Sequence, residues 1–311
     1  MKKRRQHHVW QRYLKSWAVD NQIYCLKDSA IFATNTTNVA VERDFYKLQK
    51  LTPSDFALIE NLIVAPAHPL AKQNHRNLLM QFTLPARFVE ENRDRLRNLD
   101  KIEELLDVHH TNVLEDYHAG IEDWFLPILE DILRGDLSFY ESNDRCIAFL
   151  YFICTQHMRT KGIKERSIER VEGRNGQDLR RIWDLAVLMF AYNIGMGLFL
   201  ERKKRKLALV ENRTDVPFIT GDQPIINLHG DGIRPPEELC FYYPVSPKLA
   251  LILPEVDRDP PFATESLSSA QATGLNTKML EASHSQLFGQ TKSSLLPYKN
   301  SQPSPESPAG S

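Results

Sequence analysis

Cysteine is scarce and scattered in this 311-residue chain: Cys25, Cys146, Cys154 and Cys240, with no C-x-x-C pair. That pattern argues against a disulfide scaffold or a zinc ribbon and for a reducing, cytoplasmic setting. An excess of either charge is missing too. Lys and Arg number 39 against 40 Asp and Glu, a net charge of −1. A surface so balanced does not draw nucleic acid or a membrane to itself as a whole, and leaves only a local basic patch open. The longest uncharged run, Leu185 to Leu200, has sixteen residues and is interrupted by Asn193. It falls short of the ~20 residues of a membrane span and reads as a buried central helix. The opening Met-Lys-Lys-Arg-Arg-Gln-His-His has no apolar segment behind it, so no signal peptide is expected. Phosphate-cradling loops (G-x-x-x-x-G-K-[ST], G-x-G-x-x-G) and the G-x-S-x-G nucleophile elbow are absent as well.

What is present is an ordinary apolar fraction, 42%, ample for a core at this length. Val9, Tyr13, Leu14 and Trp17 share a helical face and predict a short amphipathic helix at the N-terminus. Ile23 to Leu26 and Ala30 to Ala33 flank a turn and predict a β-hairpin. The segment 34–46 reads as a loop that returns Asp44 and Tyr46 to the first helix. From Thr52 the period becomes helical. Thr52-Pro53-Ser54-Asp55 is a helix start, and helices are expected near 70–97, 101–134, 142–171 and 178–202, with bends at Pro85 and Pro127. Short apolar runs between 205 and 255 predict an antiparallel sheet, which the N-terminal hairpin is free to join. A last helix is expected over 264–287. From Pro297 onward Pro, Ser, Gln and Gly dominate and predict a disordered tail. Segregated helices and strands argue for a single α+β domain over residues 1–290, with a helical block at about 52–202.

The stretch Val216 to Leu228 (V-P-F-I-T-G-D-Q-P-I-I-N-L) reads as strand, turn, strand, and lifts one carboxylate, Asp222, to the edge of an apolar sheet. With it the sequence offers His8, Asp44, Gln156 and Arg159. Distant segments supplying polar groups are how active sites are assembled. His8 is the candidate proton-transfer group. Asp44 and Asp222 are orienting carboxylates or, with His7 and His8, ligands to a divalent metal. Arg159 is a bidentate anion clamp, and Gln156 lies on its helix face. The competing reading makes Arg159 and Asp222 a buried salt bridge that locks helix to sheet. His109, His110 and His118, with Glu115 and Glu122, read as a solvated helix face. Cys154 sits in an apolar run and reads as a buried small hydrophobe. The basic run Arg202-Lys203-Lys204-Arg205-Lys206, alone or with Lys2, Lys3, Arg4 and Arg5, is either a phosphate-binding patch or an exposed connection.

Five segments in order carry a resemblance: H-H-V-W-Q-R-Y-L-K-S-W, V-A-V-E-R-D-F-Y, Q-H-M-R, F-I-T-G-D-Q-P and Y-Y-P-V-S-P. Together they resemble a widespread bacterial family known as domain of unknown function 4238, over about residues 7–290. Two positions depart from that family's pattern. Trp10 or Gln11 stands near a usual proline, and Gln223 replaces a usual asparagine. The resemblance implies no reaction. The residues themselves point to a hydrolase of nuclease type acting on nucleic acid or another phosphate-bearing substrate. The alternative is a non-catalytic binding or regulatory protein in which the same residues form a structural network. An enzyme requires His8, Arg159 and Asp222 to meet in an open cleft; a structural network requires them packed and mutually satisfied.

Overall fold

The computed structural model describes residues 1–175, 179–230, 237–262 and 266–301. Its elements run β1 (Arg5–His7), α1 (Gln11–Leu14), β2 (Gln22–Lys27), β3 (Ala30–Asn35), β4 (Val41–Arg43), α2 (Pro53–Ile59), α3 (Pro69–Glu91), α4 (Leu99–Leu133), α5 (Asn143–Met158), α6 (Lys161–Asn175), α7 (Trp183–Leu200), β5 (Ala208–Glu211), β6 (Thr220–Gly221), β7 (Ile226–Asn227), β8 (Phe241–Ser246), β9 (Leu249–Leu253), α8 (Ser269–Ala282), β10 (Leu287–Gly289) and α9 (Lys292–Leu295). The fold is α+β, a helical layer joined to small antiparallel sheets.

Local chemistry explains the helix boundaries. Thr52 and Asp55 form a reciprocal capping box with Pro53 in the first turn of α2. Ser268 and Gln271 do the same for α8. Pro85 and Pro127 lie inside α3 and α4, which run on through them rather than ending. The expected helix over 142–171 is two helices. α5 ends at Met158, where Arg159 caps it and the chain turns through Thr160 into α6. The apolar α7 is the buried helix expected. It is long and apolar enough to cross a membrane by composition alone, yet half of it is buried within the fold, and α5 and α4 share its core.

Three sheets form among the described residues. The hairpin β2–β3 joins two C-terminal strands, in the order β3-β2-β10-β6, while β5-β9-β8-β7 form a second four-stranded sheet. The expected strand, turn and strand about Asp222 are β6 and β7, which pair with different partners, β6 with β10 and β7 with β8. Pro224 brings no N–H to a ladder, and the turn hands the chain from one sheet to the other. The short amphipathic helix expected at the N-terminus is α1 with the helical turn Lys15–Trp17 that continues it; before it Arg5–His7 form β1, which pairs with β4 from Arg5↔Arg43 to His7↔Val41.

α1 ties the layers together. The Tyr13 hydroxyl donates to Pro244 O at 2.7 Å and lies 2.6 Å from the Thr220 hydroxyl. Its ring stacks on Tyr243 with centroids 5.0 Å apart, and Trp17 Nε1 donates to Phe218 O. At the other end Leu296 to Tyr298 form a turn with Tyr298 buried. The rest of the expected tail, from 302, lies outside the described residues, as do 264 and 265 at the start of the expected last helix.

Candidate functional site: a polar cavity beside a packed polar network

Asp222 is buried and its carboxylate is fully engaged. Oδ1 accepts from the His284 amide at 2.8 Å. Oδ2 accepts from the Ser285 amide and hydroxyl and from the Gln286 amide, at 2.8, 2.9 and 3.0 Å. Its own amide donates back to Gln286 O. Gly221 is required beside it, since a Cβ there would collide with Ser283 Oγ and stand 2.9 Å from the Gln286 carbonyl. Burial pushes the Asp222 carboxyl up, and these donors pull against that rise. Next in sequence, Gln223 Nε2 donates to His157 O and Ile225 O, and its Oε1 accepts from the Thr160 hydroxyl. The turn therefore fastens the end of α5 to the loop before β10.

Gln156 and Arg159 form a second fastening. Gln156 Nε2 donates to His8 O at 2.9 Å and its Oε1 accepts from the Trp10 amide at 3.2 Å. A proline at position 10 would lack that amide. Arg159, 3% exposed, donates to Gln156 Oε1 at 2.6 Å and to Glu122 Oε1 at 2.5 Å. Its ion-pair partner is thus Glu122, not Asp222. His8 lies under Phe45 with ring centroids 5.3 Å apart. Burial and the Arg159 charge push its pKa down to about 3, so His8 stays neutral and is no proton carrier near pH 7. Asp44 is at the surface side of β4, 3.5 Å from Arg4 and 3.8 Å from Arg43. His8, Gln156, Arg159 and Asp222 are packed rather than gathered in a cleft.

An open cavity does exist next to this network. Its volume is about 240 Å³, and His7, Trp10, Gln11 and Lys15 face Glu115, His118 and Glu122 across it. Strand geometry explains why His7 reaches it while His8 does not: successive side chains point to opposite faces. On α4, positions 115, 118 and 122 share one face by 3–4 spacing. This face is not the solvated one expected. His118 is 2% exposed, its ring lies 4.5 Å from the Tyr46 ring, and neither ring nitrogen has a partner. Its pKa is depressed by burial and the Arg159 charge. His7 Nε2 and Arg159 Nε are likewise buried without partners. Burial raises Glu115 to about 7, with Arg159 pulling the other way. Glu122 is also raised by burial against the pull of Arg159. Unpartnered buried polar atoms are rare enough to call for an explanation; those of His7 and His118 belong to residues that line this cavity, while others, among them His8 Nδ1, His75 Nδ1 and the Tyr242 and Tyr243 hydroxyls, do not. The sequence held a signal for this: His118 interrupts the stripe of Leu114, Ile121 and Phe125, so it had to face inward.

The remaining candidates are dispersed. Lys2 and Lys3 pair with Asp107 and Asp116 on the first half of α4. Arg202 donates to Asn143 Oδ1 at the start of α5, beyond the far end of α4. Asp116 precedes Leu133 by 17 residues (133 − 116), about 25 Å along a helix axis. The two basic runs therefore do not make one patch. Within the second, Arg205 pairs with Glu201, Lys206 with Asp259 and Lys204 with Asp257. Cys154 is fully buried and its thiol is raised by burial, as expected of a small hydrophobe. His7, His8, Asp44 and Asp222 are not gathered as metal ligands. Among the described residues the set with ligand atoms drawn together is His229, Cys240 and Glu255.

The chain belongs to the family described as Protein of unknown function (DUF4238), whose profile matches residues 5–293. No curated protein and no solved structure matches it.

Proposed function

We propose that the chain is a hydrolase that binds a phosphate-bearing small molecule in the cavity between α1 and α4, with Glu115 as the proton-transfer group. The observation that carries this reading is the set of buried, partnerless ring nitrogens at one open cavity: both nitrogens of His118 and Nε2 of His7. A neutral imidazole there offers one acceptor nitrogen and one N–H donor, which suits the hydroxyl groups of a ligand. Lys15 and Arg12 stand among the lining residues and supply positive charge for a phosphate. Glu115, raised to about 7, is near the pH at which acid and base forms are both populated, where general acid–base catalysis is most effective. Arg159 serves as a positioning residue that holds Glu122, not as the anion clamp itself. A cavity, rather than a groove, and basic runs already paired with carboxylates favour a small molecule over a nucleic acid strand.

The test is a panel of nucleotides and phosphomonoesters, with and without Mg and Mn, read by thermal shift and by product release. The reading expects a stabilising compound that is turned over by the wild type, bound but not turned over by Glu115→Gln, and not bound by His118→Phe. Binding without turnover by the wild type replaces the hydrolase by a non-catalytic binding protein. Turnover that persists in both variants removes the cavity from the account.

A further inference from the structure

At one end of the sheet β5-β9-β8-β7, three side chains of different chemistry meet, away from the cavity. His229 follows β7, Cys240 precedes β8 and Glu255 follows β9. The imidazole nitrogen, the thiol sulfur and a carboxylate oxygen all lie within 4.8 Å of one another. His229 Nε2 and the Glu255 carboxylate are in hydrogen-bond contact; donors bound at 2.0–2.3 Å around a tetrahedral centre stand roughly 3.3–3.8 Å apart, so a cation would replace that contact and move the two side chains apart. We propose that His229, Cys240 and Glu255 form a binding site for a divalent cation of the zinc class, with a fourth position left to solvent.

Asn227 builds this corner. Its Oδ1 accepts from the amides of both His229 and Cys240, at 3.2 and 2.9 Å, and its Nδ2 donates to Glu238 O at 2.8 Å. One side chain thereby sets the backbone of two ligands, the support that metal ligands ordinarily draw from their surroundings. Cys240 lies buried on the floor, while His229 is partly exposed, which leaves an entry path. A mixed sulfur, nitrogen and oxygen set suits zinc rather than calcium or magnesium, which take oxygen donors. Coordination deprotonates a thiol outright.

The full-length protein, stripped with a chelator, is titrated with cobalt chloride and then with zinc chloride. One equivalent of cobalt is expected to give ligand-field absorption together with a thiolate-to-cobalt charge-transfer band, both displaced by one equivalent of zinc. Cys240→Ser is expected to lose the charge-transfer band. His229→Ala, a change at a partly exposed position, is expected to weaken cobalt binding by more than the roughly 10–100-fold expected of Asn227→Ala. Absence of the charge-transfer band in the wild type overturns the proposal. So does a band that survives His229→Ala at unchanged affinity, which keeps the test decisive should Cys240→Ser fail to fold.

Discussion

Two buried polar regions lie on either side of the α5 terminus and differ in one respect. About Asp222, the carboxylate accepts from four groups, three of them backbone amides. About His118, ring nitrogens and the Arg159 Nε have none. A satisfied polar cluster needs nothing more to explain it: it joins α5, β6 and the loop before β10, and its strength comes from hydrogen bonds made in a low-dielectric interior. An unsatisfied one at an open cavity retains a desolvation cost that folding alone does not recover. Burial by itself therefore fails to separate structural from functional groups; missing partners beside an open cavity are the further signal.

The largest expected effect falls on the pair that joins the two regions. Arg159→Met leaves the Glu122 carboxylate buried without its partner and should cost about 3–5 kcal/mol in denaturant unfolding. Adding Glu122→Leu should recover most of that loss, since an apolar pair can replace a buried ion pair. Failure of the second change to recover stability would mean that Arg159 matters chiefly through Gln156. Next comes Asp222→Ala, which removes the acceptor of three amides and one hydroxyl. Roughly 2–4 kcal/mol of stability should go, with no change in the affinity of any cavity ligand. A ligand lost along with stability would merge the two regions into one.

pH distinguishes the regions further. His8 titrates near 3 in the fold against an ordinary value of 6.5. The unfolded chain thus takes up a proton that the folded one refuses, and stability present above pH 6.5 is lost as pH falls toward 3. Between pH 6.5 and 4 this should amount to at most about 3 kcal/mol, read as a falling urea midpoint. His118 acts in the same direction. Replacement of His8 by Phe should flatten that limb. The smallest effect belongs to the basic run: Lys203→Ala, at an exposed position, should alter stability by less than about 0.5 kcal/mol.

Much of the architecture was legible because it rests on local rules. The Thr52 cap, the uncharged run of α7 and the short apolar runs of β8 and β9 all state their structure within a few residues. Pairing partners were not legible, because β10 completes its sheet across more than two hundred residues of sequence (Phe288↔Cys25). The break after Met158 was hidden for a similar reason: it depends on Thr160 bonding to Gln223. At the site, the residue types do not reveal that Asp222 is engaged by the 284–286 loop, nor that Arg159 pairs with Glu122 and Gln156. His118 and Glu115 were passed over because a charged helix looks solvated until the residues covering it, His7 to Lys15, are placed.

The central claim is that Glu115 is kept in a setting that opposes its charge. Thermal and urea unfolding of wild type and Glu115→Gln at pH 8 and at pH 4.5 test it most directly. A carboxyl raised from 4.5 to about 7 stabilises the fold least when ionised, so its contribution present below pH 4.5 is lost as pH rises through 7. Glu115→Gln is therefore expected to be more stable than wild type at pH 8, by up to about 3 kcal/mol, with the difference gone at pH 4.5. An equal or lower stability of the variant at pH 8 would contradict the account, because Glu115 would then be an ordinary, satisfied carboxylate.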